Sequence, residues 1–164
     1  MDLLILVTLG TQDKKFYRLL DALQKCIDEG IIKDKVVVQA GFSSDYKSKD
    51  MEMFDLIPMK KFDKLISECD LLITHGGVGS IVTGLKNNKV VIAVPRLKEY
   101  KEHTNNHQLQ IIENFSDSKY VIGLTDLNEI NSALKKAASF KPKKYKSNKE
   151  KFNKFIEKEI DKYL

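Results

Sequence analysis

The chain has 164 residues, of which 42% are hydrophobic and 31% are charged, and its formal net charge at pH 7 is +5. This length suits one soluble globular domain with a full core, and the apolar runs are far shorter than a membrane-spanning helix requires. The excess positive charge lies in residues 141–164, which hold nine lysines and four acidic residues, so the preceding part of the chain is close to neutral.

Short apolar runs that alternate with helical patterns organise the chain from its start. Leu3 to Thr8 is an almost continuous apolar run, which predicts a central strand of a parallel sheet. A turn at 9–13 follows, and Asp13 is the predicted N-cap of a helix that Gly30 ends. Further strands are predicted at 36–38, 51–57, 71–73, 90–94 and 120–122. A polar, lysine-rich loop at 42–50 is predicted between the second and third strands, and helices are predicted between the other strands and after the last.

This alternation predicts an α/β fold, a Rossmann-like parallel sheet with helices on both faces. Ligands of such folds bind outside the carboxyl ends of the strands. The loops at 9–13, 75–80 and 95–108 each follow a predicted strand. We therefore expect these three loops to meet at one edge of the sheet. No linker is visible before about residue 140, so residues 1–140 are predicted to form one domain.

Residues 141–164 are predicted to form a separate basic segment. After a break at Lys141-Pro-Lys-Lys144, the pattern predicts a helix with an apolar stripe of Phe152, Phe155, Ile156, Ile160 and Tyr163. Such a helix packs on the domain, docks a partner, or binds nucleic acid or an anionic membrane surface. The lack of arginine and the confinement of the aromatic residues to one stripe favour packing on the domain or on a partner, because base stacking needs an aromatic platform.

The strongest local signal is the stretch from Asp70 to Ser80, in which a buried-strand pattern runs into Gly76-Gly77-Val78-Gly79-Ser80. A strand, a tight glycine turn and a helix start present backbone N–H groups and a helix N-terminus to an anion. Ser80 is placed to cap the helix and to donate to phosphate, and His75 to donate to phosphate or sugar. The alternative is a glycine turn that serves close packing alone, with His75 simply exposed.

Weaker signals lie in the other two loops. Leu9-Gly10-Thr11 is either part of the same cleft or a plain turn, and it matches neither a P-loop nor a dinucleotide fingerprint. Glu102-His103 and His107-Gln108 are either hydrogen-bonding groups for sugar hydroxyls or solvated capping groups. A metal site is not favoured, because the two histidines lack a third ligand. Cys26 and Cys69 are predicted to be buried free thiols.

Taken together and in this order, the motifs resemble a known family. Val7-Thr-Leu-Gly-Thr11, His75-Gly-Gly-Val-Gly-Ser80, Pro95-Arg96, Glu102-His103 and His107-Gln108 are similar to the C-terminal, nucleotide-sugar-binding half of the GT-B glycosyltransferases. That family includes the undecaprenyl-linked N-acetylglucosaminyltransferase of peptidoglycan synthesis. The similarity extends over about residues 3–140. It is greatest to single-domain catalytic subunits of two-component UDP-sugar glycosyltransferases in capsular, exopolysaccharide and lipid-linked oligosaccharide synthesis.

The resemblance implies a UDP-sugar donor, a lipid-linked saccharide acceptor and a membrane-anchored partner subunit that supplies the acceptor-binding half. It makes residues 1–140 the nucleotide-sugar-binding domain and residues 141–164 a docking helix, in a cytoplasmic protein held at the inner membrane face by its partner. The catalytic residues that it implies are His75 and Ser80. The nucleotide-sugar-binding residues that it implies are Gly10, Thr11, Gly76, Gly77, Gly79, Ser80, Pro95, Arg96, Glu102, His103, His107 and Gln108.

Carried over by position, the glycine turn meets the diphosphate, Pro95-Arg96 flank the uracil, and His107-Gln108 contact the donor sugar. One position departs from the family pattern: many larger members carry a ribose-binding glutamate three residues after the motif serine, where this chain has Thr83. Glu102 is then the candidate for ribose. No metal or other cofactor is expected, because Asp-x-Asp is absent and a helix N-terminus stabilises the leaving diphosphate. Nucleic acid is not an expected partner.

The general base for the acceptor hydroxyl is expected on the partner subunit. The chain is therefore predicted to bind the donor and to transfer little sugar alone. Two alternatives remain open. One is a non-catalytic accessory subunit that has the same fold and stabilises a glycosyltransferase partner. The other is a nucleotide-sugar epimerase, which shares the two-domain architecture but needs a considerably longer chain.

Overall fold

A six-stranded, all-parallel sheet forms the centre of the computed structural model, which describes residues 3–145 and 149–162. The strands lie in the spatial order β3-β2-β1-β4-β5-β6. The apolar runs of the sequence form them, because strands buried on both faces need side chains that tolerate burial on each. Their bounds are β1 (Leu4–Thr8), β2 (Lys35–Gln39), β3 (Met51–Phe54), β4 (Leu71–His75), β5 (Val90–Val94) and β6 (Ile122–Gly123).

Helices form four of the five connections between strands and cover both faces of the sheet, as predicted, whereas a loop with a short 3₁₀ turn at Gly41–Ser43 joins β2 to β3. They are α1 (Tyr17–Asp28), α2 (Met59–Glu68), α3 (Val78–Lys86), α4 (His107–Asp117), α5 (Ile130–Ala137) and α6 (Lys149–Asp161). Helices α1 and α5 cover one face, and α2, α3 and α4 cover the other. The predicted Rossmann-like fold is therefore confirmed.

Alternating residues of β1 supply the two layers of the core. Val7 packs with Leu20 of α1 on one side of the sheet, while Leu6 packs with Ile81 of α3 and Ile112 of α4 on the other. All five side chains are completely buried. Burying one such side chain contributes about 1.5–3 kcal/mol relative to leaving it exposed. A shift of one residue in the register of β1 would move these side chains to the opposite faces, so the two layers favour the observed register.

The strand order reverses between β1 and β4, which are neighbours in the sheet but are separated in sequence by β2 and β3. The loops after these two strands leave the sheet in opposite directions, and they open a crevice at its carboxyl edge. The glycine turn after β4 and the Gly10-Thr11 turn after β1 both lie at this point. The fold therefore brings the two predicted loops together where ligands of such sheets bind.

The start of the first helix differs from its prediction. Helix α1 begins at Tyr17 rather than next to Asp13, and its N-cap residue, Phe16, makes no side-chain cap. The N–H of Phe16 instead donates to Oγ of Ser43 at 2.8 Å. The predicted Asp13 cap is wrong, because a serine from a later loop satisfies this amide.

The third strand also ends earlier than its prediction. Its ladder with β2 stops at the pairing of Gln39 with Phe54, and the N–H of Gly41 then donates to the carbonyl of Asp55. Residues 55–57 were predicted to continue the strand and instead turn out of the sheet. Leu56 and Ile57 thereby reach the crevice at the carboxyl edge.

Helix α6 packs against the face formed by α2, α3 and α4. The ring of Phe155 meets that of Phe115 edge to face, with a centroid separation of 5.3 Å. Along the predicted stripe, Ile156 is half-buried and Ile160 is 51% exposed, whereas the Phe152 side chain and Tyr163 lie outside the described residues. No helix in the described part of the chain is both long and apolar enough to cross a membrane.

Candidate functional site

A cleft of about 490 Å³ opens at the carboxyl edge of the sheet, between the ends of β1, β3 and β4. One side carries the glycine turns and hydroxyl groups, and the other side is apolar. The lining residues are Thr8, Gly10, Thr11, Gln39, Leu56, Ile57, Met59, Phe62, Asp63, His75, Gly77, Gly79, Ser80 and Thr83. Six of the predicted site residues are thus brought together: Gly10, Thr11, His75, Gly77, Gly79 and Ser80.

The glycine turn after β4 leads directly into helix α3, whose N-cap residue is Gly77. Ser80 therefore lies inside the first turn of the helix and does not cap it, contrary to the prediction. Its hydroxyl oxygen lies 3.3 Å from His75 Nε2. The first backbone N–H groups of a helix have no partner within the helix and carry the positive end of its dipole. This end of α3 faces the cleft through Gly77, Gly79 and Ser80.

The turn after β1 approaches His75 so closely that only glycine fits. Gly10 has a φ of +81°, and a Cβ built on it would lie 2.7 Å from His75 Nε2. A Cβ on Gly77 would overlap the same ring at Cε1. Gly79 differs, because a Cβ there would meet nothing within 4 Å. Two glycines of the cleft are thus required by packing around His75, whereas the third leaves open space.

His75 ends β4 and is only 7% exposed. Its Nδ1 atom lies 3.1 Å from Nε2 of Gln108 and 3.2 Å from the backbone nitrogen of Gly77. Burial of the ring, followed by the positive charge of Arg96, lowers the pKa of His75 to about 4. The imidazole is therefore neutral at pH 7, and it interacts with ligands through hydrogen bonds rather than through charge.

Arg96 follows β5, and its side chain is completely buried. Its guanidinium donates to the backbone carbonyls of Leu9, Lys14 and Glu102. Burial lowers the pKa of Arg96 to about 10, so the group stays charged at pH 7. The guanidinium thus joins the turn after β1 to the loop after β5. Uracil contact by Pro95 and Arg96 stays a prediction, and neither residue lines the cleft.

Glu102 is also occupied by contacts within the protein. Its carboxylate accepts two hydrogen bonds from Arg18 of α1, at 2.9 and 3.0 Å, and one from the backbone N–H of Leu97 at 3.0 Å. The residue is 3% exposed. Arg18 in turn lies against the ring of Tyr100. Ribose binding by Glu102 stays a prediction. The hydrogen bonds of this carboxylate fix the loop after β5 to α1.

The remaining predicted residues lie behind or beside the cleft. Gly76 and Gln108 are buried behind it, where the N–H of Gly76 donates to Gln108 Oε1. His103 is half-buried, and burial followed by the charge of Arg96 lowers its pKa. His107 begins α4 and is half-buried. Ligand contacts of these four residues stay predictions.

The sequence interpretation missed the apolar wall of the cleft. Leu56 and Met59 are 69% and 73% exposed, and with Ile57 and Phe62 they line the side opposite the glycine turns. Large apolar side chains that stay exposed next to a concave polar site suit the face of a flat ring or a protein partner. Pro58, which ends the extended segment before α2, was the available signal that this wall leaves the sheet.

Metal ligands do not gather in the described structure. Within residues 3–145 and 149–162, no three His, Cys, Asp or Glu side chains are close enough together to hold an ion. Metal independence stays a prediction. The two cysteines, Cys26 and Cys69, are free and buried, as predicted.

A doubly wound parallel sheet with glycine turns and a helix N-terminus at its switch point is an arrangement that many nucleotide-binding domains share. The family model of the glycosyltransferase family 28 C-terminal domain matches residues 4–164. The chain therefore belongs to this family and is a glycosyltransferase domain. The match continues beyond residue 140, so it includes the basic C-terminal helix.

Individual relatives agree with this family. The UDP-N-acetylglucosamine transferase subunit ALG13 of Candida albicans (strain SC5314 / ATCC MYA-2876) is 34% identical over 77 residues, which are 47% of this chain and 25% of that protein. The chain thus spans about a quarter of this curated relative. A solution structure of ALG13 matches with a TM-score of 0.61 and 20% identity, over 94% of each chain. The glycotransferase of kitacinnamycin matches with a TM-score of 0.64 and 18% identity, over 84% of this chain and 35% of that one.

Proposed function

We propose that this chain is the donor-binding catalytic subunit of a UDP-sugar-dependent glycosyltransferase that acts on a lipid-linked saccharide. The observation that carries the proposal is the start of α3, where Gly77, Gly79 and Ser80 face an open cleft beside the turn after β1. Backbone N–H groups of the first turn of α3, a hydroxyl and a helix dipole converge there, while the N–H of Gly77 itself donates to His75 Nδ1. These groups suit a diphosphate, which carries negative charge and many hydrogen-bond acceptors.

The apolar wall gives the rest of the nucleotide a place. Leu56, Ile57 and Met59 lie across the cleft from the glycine turns. A uracil ring placed against them buries its flat faces while the diphosphate reaches the start of α3. This orientation differs from the prediction that Pro95 and Arg96 flank the base.

In the proposed reaction, an acceptor hydroxyl oxygen bonds to the anomeric carbon of the donor sugar as the bond from that carbon to the diphosphate breaks. UDP leaves with the bonding electron pair, and its new negative charge meets the hydrogen-bond donors at the start of α3. Preorganised donors of this kind stabilise developing charge without a metal ion. The proton of the acceptor passes to a base on a partner subunit, which completes the balance.

A partner is part of the proposal because the cleft is open on the side away from the sheet. The chain covers 35% of the kitacinnamycin glycotransferase, so the matched structure has a large additional part. The related ALG13 protein is named as a subunit. We propose that a membrane-anchored, acceptor-binding subunit closes the cleft and that α6, with its exposed Ile160, helps to dock it. The Ile160→Glu variant should then lose co-purification with that subunit, and unchanged recovery would contradict this docking role.

The Gly79→Ala variant tests the diphosphate site without straining the free protein. A methyl group there meets open space, and alanine favours a helix by about 1 kcal/mol over glycine. We expect the variant to be at least as stable as the parent chain and to bind UDP about tenfold or more weakly in calorimetric titration, since the methyl group fills the space proposed for phosphate.

The matched control is Gly30→Ala, which adds a methyl group in open space at the end of α1, far from the cleft in the sheet. Gly30 has a φ of +71°, so this variant loses stability, but it should bind UDP as the parent chain does. Equal UDP affinity in Gly79→Ala and the parent would overturn the diphosphate assignment. A panel of UDP-sugars in the same titration identifies the donor.

The Ser80→Ala variant in the assembled complex distinguishes a catalytic subunit from a non-catalytic accessory subunit, when sugar transfer and complex assembly are both measured. Loss of transfer with unchanged assembly supports a catalytic role. Unchanged transfer by a complex that contains this variant favours an accessory role for the chain.

A further inference from the structure

The buried amide of Gln108 is fixed in one orientation by two backbone groups. Its Oε1 atom lies 2.9 Å from the nitrogen of Gly76 and 3.0 Å from the nitrogen of Arg96. Backbone N–H groups only donate, so the atom that faces both of them must be the amide oxygen. The amide nitrogen of Gln108 therefore faces the other way, toward His75.

This orientation determines which nitrogen of His75 carries the proton. The Gln108 Nε2 group donates to His75 Nδ1 at 3.1 Å, and the N–H of Gly77 points at the same atom from 3.2 Å. An Nδ1 atom that accepts from two donors has no hydrogen of its own. The single proton of the neutral ring is therefore on Nε2, which faces Gly10, Ser80 and the cleft.

The hydrogen bonds then run in one direction. The backbone amides of Gly76 and Arg96 donate to Gln108, Gln108 donates to His75, and His75 Nε2–H donates to Ser80 Oγ at 3.3 Å. Because the Ser80 oxygen accepts from His75, its own hydrogen is left to point into the cleft. Hydrogen bonds arranged in series polarise one another, which strengthens the last donor.

We propose that Gln108 is a positioning residue that holds His75 in its Nε2–H form, so that His75 donates to Ser80 and Ser80 presents its hydroxyl hydrogen to an anionic ligand in the cleft. This inference rests on the proposed function for the identity of the anion, a nucleoside diphosphate. It gives Gln108 a role other than the predicted contact with the donor sugar, since its side chain is 4% exposed and both ends of its amide make hydrogen bonds within the protein.

Burial and neighbouring positive charge keep the ring of His75 neutral across the useful pH range. Burial lowers the pKa of His75 most, followed by Arg96 from the loop after β5; the hydrogen bond with Gln108 raises it, and His103 from the loop before α4 lowers it further. From α4 it meets the uncharged Gln108, and from α3 the uncharged Ser80. Donor binding through His75 should therefore not require a protonated imidazole, and it should stay level between pH 5.5 and 8.

The ring nitrogens of His75 can be observed by NMR, and the spectrum is simple because the chain has only three histidines. Long-range ¹H–¹⁵N spectra of the ¹⁵N-labelled full chain distinguish the two neutral ring forms by their nitrogen shifts. At pH 7, His75 should show Nε2–H and an unprotonated Nδ1. His103 and His107 serve as references in the same spectrum, and the His75→Gln variant assigns its signals.

The Gln108→Glu variant should reverse the chain of hydrogen bonds. One carboxylate oxygen still accepts from Gly76 and Arg96, but the other now accepts from His75 and moves the ring proton to Nδ1. Nε2 then accepts from Ser80, so the hydroxyl hydrogen no longer reaches the cleft, and UDP affinity should fall about tenfold or more. Gln110→Glu is the control, because it adds the same charge on the exposed side of α4 and should keep both the Nε2–H form and the UDP affinity.

The outcomes separate the inference from the proposed function. A parent chain whose His75 carries its proton on Nδ1 would overturn the inference even if UDP binds, and this measurement decides the question even if Gln108→Glu does not fold. A reversed ring form with unchanged UDP affinity would also overturn it. Absence of UDP binding in the parent chain, with His75 in the Nε2–H form, would instead count against the proposed function.

Discussion

The two edges of the sheet each carry a hollow, and the two hollows differ in chemistry. The hollow at the amino edge has a volume of about 250 Å³ and is mainly apolar, with Leu3, Ile31, Leu71 and Val90 among its lining residues. The cleft at the carboxyl edge is larger, about 490 Å³, and carries glycine turns, hydroxyls and His75. Apolar surface dominates the lining of both hollows, but only the carboxyl-edge cleft adds a helix start, the hydroxyl of Ser80 and the imidazole of His75, which suit an anion.

The direction of the chain explains this difference. In a parallel sheet every strand ends at the carboxyl edge, so the helices that follow the strands begin there, and their positive ends face it. The amino edge receives the ends of helices, as the residues from the end of α5 in its hollow show. A concave shape alone therefore does not indicate a nucleotide site, and the orientation of the helices decides which hollow attracts phosphate.

Arg96 is a buried cation at the carboxyl edge, and Lys35 is an exposed cation at the amino edge. Replacing each of them should show the largest difference between the edges in the free energy of unfolding. Arg96→Met removes a fully buried guanidinium and leaves the carbonyls of Leu9, Lys14 and Glu102 without it. We expect a loss of about 3–5 kcal/mol in the free energy of unfolding, measured with urea.

The matched change at the amino edge is Lys35→Met, at the start of β2. Lys35 pairs with Glu52 at 3.1 Å, but the two side chains are 64% and 48% exposed. Solvent weakens such pairs, so the loss should stay below about 1 kcal/mol. Similar losses in the two variants would show that burial does not distinguish the two edges as we argue.

The second contrast is in pH dependence, because all three histidines lie on the carboxyl side of the sheet: His75 ends β4, and the other two follow β5. Unfolded His75 takes up a proton near pH 6.5, whereas the folded protein does so only near pH 4. Protons therefore bind preferentially to the unfolded chain in this window, and stability should fall as the pH drops through it, by about 3 kcal/mol in all.

The measurement is the free energy of unfolding between pH 7.5 and 4, compared with His75→Gln, in which this contribution is absent. The difference between the two curves should grow as the pH decreases below 6.5. Curves that stay parallel over this range would contradict the buried, neutral state of His75.

Local patterns in the sequence predicted the parallel sheet, the meeting of the loops and the glycine turn, because apolar runs and glycines act close to their own position. They did not predict the hydrogen bonds that Arg96, Glu102 and Gln108 make within the protein. Most partners of these side chains lie far away in the chain, whether they are backbone or side-chain groups: the carbonyl of Leu9 is 87 residues from Arg96, and the guanidinium of Arg18 is 84 residues from Glu102. A polar residue near a cleft looks the same in sequence whether it faces the ligand or supports the loop behind it.

The exposed wall of the cleft was missed for a related reason. Leu56 and Ile57 continue the apolar run of β3, and only the end of the ladder with β2 shows that they leave the sheet. Strand length depends on the neighbouring strand, which a single segment does not reveal.

Two glycines with positive φ, one at each edge of the sheet, allow the effect of the same backbone change to be compared between the edges. Gly10→Ala and Gly30→Ala both force alanine into a left-handed conformation, which costs about 1–3 kcal/mol. Only the Gly10 methyl group also collides with His75. UDP titration should therefore show about tenfold or weaker binding for Gly10→Ala and no change for Gly30→Ala. Equal affinities in the two variants would remove the turn after β1 from the site.

The smallest expected effects come from apolar side chains, where the two hollows should respond in opposite ways to the same kind of truncation. Met59 in the carboxyl-edge cleft is 73% exposed, so Met59→Ala should change the free energy of unfolding by less than about 0.5 kcal/mol. Its loss removes part of the wall proposed for the base, and UDP affinity should decrease about threefold to tenfold. Ile31→Ala in the amino-edge hollow should show the reverse: a stability loss of about 1 kcal/mol, because Ile31 is only half as exposed as Met59, at 36% against 73%, and unchanged UDP affinity. If Met59→Ala binds UDP normally, the base lies elsewhere, and the exposed apolar wall is then left as a surface for the partner subunit.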